Sequence, residues 1–305
     1  KQIVKNFNNL IKKTIFKLEN KTNNKFQVST FNKYIITIIG ILFTYIFYLL
    51  IPLLYDKNWV QNKIVSKLKT EFNISLSNSF DISYRILPKP HYLIKDSKTT
   101  FAEIKVLNVF INQNNFFNKD STKINEVVIE KANFSLFNDN FKMLYKKSEN
   151  EFSKKKIKIS NSNIFFKDNS KEVVSIIKIS NAFLFFDEKN LLNLFDLKGE
   201  IFNIPFKLKY QNNLDLKKKI KIKASDLKLE ITNESFKKDE DLSNGINNIS
   251  ILSSSINTKY NVNDQIVIFQ SSGSRVYNSK IDYNGQLTIN PFDLNLKINL
   301  YNYKI

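Results

Sequence analysis

The hydrophobic pattern of this chain passes through three regimes. From Tyr34 to Leu54 it reads YIITIIGILFTYIFYLLIPLL, with no charged residue. From Asn58 to Phe72 apolar residues recur every fourth position: Trp59 or Val60, then Ile64, Leu68 and Phe72. After that the period falls to two. Ile204, Phe206, Leu208 and Tyr210 alternate with Pro205, Lys207 and Lys209, and Leu294, Leu296, Ile298 and Leu300 alternate with Asn295, Lys297 and Asn299. A stretch of ~20 apolar residues is long enough to cross a bilayer as a helix. A four-residue step predicts one helical face, and strict alternation predicts half-buried strands with one apolar and one wet face. The predicted order is a membrane-length helix, a short helix and a long ladder of strands.

Similar strands recur along the ladder. VIEKANFSLF at 128–137, IKISNSNIFF at 157–166 and IKISNAFLFF at 177–186 share an alternating start, a small polar centre and an aromatic end, with IKASDLKLEI at 222–231 a weaker fourth. Their irregular spacing predicts strands joined by hairpins of varying length rather than a solenoid of fixed period. GEIFNIPFKLKY from Gly199 and GQLTINPFDLNL from Gly285 both place Pro-Phe six residues after a Gly. Gly takes positive φ freely and Pro lacks a backbone donor, so each unit is expected to mark a bend from one strand into the next. The polar stretches 138–155 and 232–249 are expected to be loops or short helices.

Charge changes the picture on orientation. Residues 1–33 carry eight Lys and one acid, Glu19, which places a basic tail in the cytoplasm and residues 56–305 across the membrane. The 34–54 segment is too long for a signal-peptide core and no small-residue cleavage site follows it, so it reads as an uncleaved anchor. In the tail, Ile3, Phe7, Leu10, Ile11, Ile15 and Leu18 fit a basic amphipathic helix on anionic lipid, or else a disordered basic tail.

Composition removes several function classes. The net charge is +19, yet only Arg85 and Arg275 are Arg; nucleic-acid readers favour Arg forks, so nucleic acid is not an expected partner. The chain has no Cys and one His, His91, which leaves no metal site or cofactor to propose. No phosphate-binding glycine loop or nucleophile elbow is present, and His91 has no nucleophile beside it, so the chain is read as a non-enzyme without catalytic residues.

The stretch after the anchor resembles the AsmA-like family of Gram-negative envelope proteins. The resemblance rests on Trp59 to Leu76, FDISYRILPKPHYLIKD at 80–96 with its Pro88–Pro90 corner, FAEIKVLNVFI at 101–111, INEVVIEKANFSLF at 124–137 and the two Gly–Pro–Phe units. It implies a mainly β fold: a transmembrane helix, a short helix, then a long curved antiparallel sheet shaped like a gutter. It also implies a single-pass bacterial inner-membrane protein with its bulk in the periplasm, related to bridge-like lipid transfer proteins, with membrane phospholipids as partners and a role in outer-membrane assembly. The first residue is Lys, and the chain stops just after a strand, as a piece of a longer protein would.

An alternating ladder must cover its apolar face with protein or with acyl chains. Phe165, Phe183, Phe185, Ile204, Phe206, Leu208, Leu294, Leu296, Ile298 and Leu300 are the candidates for a lipid-facing surface. The competing expectation is a closed face and an anchored scaffold or adaptor for other envelope proteins. An apolar face uninterrupted from strand to strand favours the first, and an interrupted one the second.

Overall fold

A computed structural model of the chain describes residues 30–77, 80–137, 150–168, 170–213, 217–237, 242–263, 265–289 and 291–301. The amphipathic segment expected at 3–18 lies outside them. The chain forms two compact units, Lys1–Leu50 and Ile51–Ile305.

In the first unit, helix α1 spans Thr30–Leu50, and a short 3₁₀ turn, Ile51–Leu54, opens the second unit. Phe31–Leu54 is long and apolar enough to cross a membrane. The hydroxyls of Thr37 and Thr44 donate to the carbonyls of Lys33 and Gly40, 2.9 and 2.8 Å away. Such bonds satisfy polar side chains within the helix itself, as a hydrocarbon setting demands.

Helix α2, Lys57–Phe72, is capped by Asp56, whose carboxylate accepts from the Trp59 amide at 2.7 Å. It stops at Asn73, which takes the left-handed conformation at φ 56°, while the Ile74 amide donates to the Leu68 carbonyl. Val60, Ile64, Leu68 and Phe72 are buried, so the expected four-residue stripe is the face the helix hides.

The rest is one sheet of sixteen strands: β1 (Asp81–Arg85), β2 (His91–Lys98), β3 (Ala102–Ile111), β4 (Ile124–Leu136), β5 (Lys156–Lys167), β6 (Val173–Asp187), β7 (Leu192–Ile201), β8 (Ile204–Asn213), β9 (Lys217–Ala224), β10 (Leu229–Lys237), β11 (Leu242–Ile251), β12 (Ser254–Asn263), β13 (Ile266–Ser271), β14 (Ser274–Val276), β15 (Ser279–Thr288) and β16 (Asp293–Tyr301). Neighbours in sequence are almost everywhere neighbours in space, β13 and β14 being two parts of one interrupted strand between β12 and β15. The mainly β, antiparallel architecture follows the alternation of the sequence.

Four details depart from it. First, β4 and β5 are parallel rather than a hairpin, with Val127 opposite Ile157 and Phe134 opposite Ile164. A parallel pair needs a long return connection; of the polar 138–155 stretch between these strands, 138–149 lie outside the described residues. Second, the described residues of 232–249 are strand rather than loop: Thr232 pairs with Asn248 and Glu234 with Ile246, within β10 and β11, while 238–241 lie outside the described residues. Backbone pairing needs no apolar side chains, and here both faces are polar enough to hide the period.

Third, IKASDLKLEI is not one strand but crosses the β9–β10 turn. From β7 onward the spacing is regular: β7, β9 and β11 begin at 192, 217 and 242, and β8, β10, β12 and β15 at 204, 229, 254 and 279. The unit is a 25-residue pair of strands, and its turn tips are Phe202, Leu227, Leu252 and Tyr277. The expectation of no fixed period was drawn from strand content, which drifts; the turns carry the period.

Fourth, the glycines of the Gly–Pro–Phe units sit inside β7 and β15, not at bends. A Cβ on Gly199 would stand 2.6 Å from the Lys178 carbonyl, and one on Gly285 would stand 2.3 Å from the Asn295 carbonyl and 2.7 Å from the Phe269 ring. They permit close approach, and the left-handed turn positions fall instead to Phe202 and Asn203, at φ 50° and 62°. Pro205 is the second residue of β8, just before the pairing with β9 begins at Lys207, so its missing donor costs no ladder bond.

Candidate functional site

Tracing the register from strand to strand reveals a row of aliphatic side chains. Ile82 faces Ile94, which faces Leu107, then Ile129, Ile159 and Ala182 on β1 to β6. The row continues through Leu197, Leu208, Ile222, Ile231, Ile249 and Ile256 on β7 to β12. Twelve strands each contribute one aliphatic residue, and none contributes a polar one. At ~4.8 Å per strand the row is roughly 50 Å long.

The row keeps one face although several strands shift their alternation on the way. In β4 the buried positions run Val127, Ile129, then Ala132. The phase changes at Lys131, which has φ 54°, beside Asn161 of β5 at φ 47°; Asp96 of β2 has φ 49°. These residues stand between paired neighbours but are themselves unpaired in the ladder, so a line of irregularities crosses β2 to β6. Ser162 repairs part of it. Its hydroxyl accepts from the Ala132 amide at 3.0 Å and donates to the Ser160 carbonyl at 2.7 Å. Asn163 donates to the Asn133 side chain at 3.1 Å. The small polar centres shared by the three echo strands are the residues of this line.

Cover over the row is uneven. On β1 to β7 it is mostly buried, with Ile94 and Leu107 fully so. Helix α2, which buries Val60, Ile64, Leu68 and Phe72, is tied to the first strands by Glu71, which is bonded to Lys155 ahead of β5 and lies 3.2 Å from Lys67. Ala182 and Leu197 on β6 and β7 are packed instead by Phe134, Ile159, Ile164, Phe206 and Leu208. Burial alone would raise the Glu71 pKa, but bonds from the two ammonium groups hold it below the ordinary carboxylate value. At the β1 corner the Tyr84 and Tyr92 rings meet at 5.4 Å with their planes inclined by 55°, and burial pushes the Tyr84 hydroxyl up to about 12. Among the described residues no helix follows β7, and Leu208, Ile222, Ile231, Ile249 and Ile256 are half-buried.

The ten candidates divide between the two faces. Leu208 belongs to the row; Ile204 and Phe206 share its face, and Phe206 and Leu208 pack on Ile179, Ala182 and Leu197. Leu294, Leu296, Ile298 and Leu300 on β16 share that face through Leu287, Gly285, Tyr283 and Ile281, and are 43–56% exposed. Phe165, Phe183 and Phe185 are a correction: they lie on the opposite, polar face. Phe183 stands opposite Lys158 and Asp196, and the Lys156 ammonium lies 4.9 Å from its ring and 5.1 Å from that of Phe185. Composition marks these rings as apolar, but the phase change in β6 between Ile179 and Asn181 turns them outward. The row partners Ile222, Ile231, Ile249 and Ile256 escaped selection because only the register aligns them.

The other face is wet. Lys217 and Lys219 pair with Glu234, and Lys221 with Glu230, each at 2.6 Å. A hollow of about 670 Å³ opens on it over β10 to β16, lined by amides such as Asn244, Asn261 and Gln286 together with Phe236, Ile246 and Ile268. Among the described residues no three His, Asp or Glu side chains gather as metal ligands. His91 is buried against Phe110, its Nδ1 2.7 Å from the Lys89 carbonyl. No protein-family model matches the chain, and no curated protein matches it either.

Proposed function

We propose that this protein is a membrane-anchored lipid handler of the AsmA-like type, non-enzymatic, with the apolar face of its sheet taking up phospholipid acyl chains. The observation that carries the reading is the twelve-strand aliphatic row, mostly buried on its first strands and half-exposed beyond β7. Burying a methylene contributes ~0.8 kcal/mol, so an acyl chain along the half-exposed part would gain from the sheet what bare water denies it. The anchor would be α1 in a bacterial inner membrane, with the sheet in the periplasm and outer-membrane assembly as the process served.

The test is lipid analysis of the detergent-solubilised full chain beside an Ile222→Glu, Ile249→Glu double variant, both checked for strand content by circular dichroism. Stoichiometric phospholipid in the natural chain, lost in the folded variant, is the expected outcome. Absence of phospholipid from both would sink the reading. A scaffold or adaptor role has one observation in its favour: β16 is an edge strand among the described residues, able to accept a partner's strand.

A further inference from the structure

Three chain segments meet at the corner of the sheet where the chain emerges from α1. They are 51–59, the β1–β2 turn at 86–90, and the β3–β4 connection at 112–123. The Tyr55 hydroxyl donates to the Phe116 carbonyl, and the Ile111 amide donates to the Pro90 carbonyl at 3.1 Å. Trp59 packs edge-on to Tyr55 at 5.8 Å, with the ammonium groups of Lys119 and Lys63 5.3 and 5.8 Å from its ring.

Each segment ends in an exposed apolar tip: Leu54 is 84% exposed, Leu87 80% and Phe117 79%. These are large costs to leave in water. Around them Lys57, Lys63, Arg85, Lys89, Lys119 and Lys123 outnumber the acids Asp56, Asp81 and Asp120, of which Asp81 lies 3.0 Å from Lys57 and Asp120 3.8 Å from Lys63. Apolar tips ringed by lysines, with a Tyr–Trp pair between, match the layering of a bilayer interface: acyl chains, aromatic belt, anionic headgroups.

We infer that this corner of the sheet is a membrane-docking surface. Leu54, Leu87 and Phe117 enter the apolar margin of a bilayer while Lys89, Lys119 and Lys123 meet anionic headgroups. The occupant is lipid rather than protein because the chain arrives here directly from a membrane-length apolar helix and because the surrounding charge is basic. The inference rests on α1 crossing that same membrane. It adds that the β unit is seated on the bilayer and not merely tethered to it, which would bring the buried end of the aliphatic row next to the lipid source.

The chain has no Cys, so single cysteines can be introduced one at a time. Full-length Leu87→Cys, Phe117→Cys, Leu252→Cys and Ile41→Cys variants would carry an environment-sensitive fluorophore in vesicles of phosphatidylcholine and phosphatidylglycerol. Leu252, 65% exposed on the opposite rim, is the aqueous reference, and Ile41 the reference within α1. The expected result is several-fold slower quenching by iodide at 87 and 117 than at 252, with quenching by lipid-borne nitroxide at 87, 117 and 41. Omitting phosphatidylglycerol should narrow the difference at 87 and 117. Labels at 87 and 117 as open to iodide as 252, with 41 shielded, overturn the docking surface and spare the anchor. A label at 41 open to iodide overturns both.

Discussion

At the scale of single residues, the turns of the 25-residue unit carry an unusual load. Phe202, Leu252 and Tyr277 hold φ of 50°, 53° and 52°, where a bulky L-residue is disfavoured and Asn or Gly is the ordinary choice. They are also exposed, so packing does not repay the strain. Leu252→Gly is therefore expected to stabilise the chain by about 1 kcal/mol, read as a higher denaturation midpoint; an unchanged or lower midpoint would show that the leucine has an intramolecular partner worth the strain. Such positions are illegible beforehand, because an apolar residue between two alternating runs reads as more strand. Ser162 was equally hidden: nothing in a serine announces that its hydroxyl will accept a buried amide of the adjoining strand, that of Ala132, 30 residues away in the chain.

At the scale of elements, α2 was legible almost residue for residue, since a four-residue apolar step has one physical reading. What it covers was not. Glu71 and Lys155 lie 84 residues apart and meet only because the parallel β4–β5 pair brings the start of β5 beneath the end of the helix. Because the folded Glu71 pKa lies below its ordinary value, its contribution is present at neutral pH and is lost as pH falls through the ordinary and then the folded pKa. Glu71→Gln should cost about 1 kcal/mol at pH 7, the pair being partly exposed. The gap between variant and natural chain should close below about pH 4 in denaturant titrations. A gap that persists unchanged at pH 3 would mean that packing of the side chain, and not its charge, ties the helix down.

At the scale of the molecule, one apolar row runs through two environments, and the same truncation should cost different amounts along it. Leu107 is fully buried, so Leu107→Ala is expected to cost about 3 kcal/mol. Ile249 is half-buried on the open part, and Ile249→Ala is expected to cost about 1 kcal/mol. Equal costs by chemical denaturation would mean that the second half of the row is closed in solution and would weaken its reading as an acyl-chain track. The sequence by itself determined the membrane-length helix, the amphipathic α2 and the alternating ladder, because those depend on periodicities of a few residues that local backbone geometry imposes. Only the tertiary structure decided which side chains share a face. A single left-handed residue such as Lys131 or Asn161 shifts the alternation by one position, so the side facing the core after the shift depends on pairing with strands far away in the chain. That is why Phe183 and Phe185 point to the wet face while Ile222, Ile231 and Ile249 complete the row.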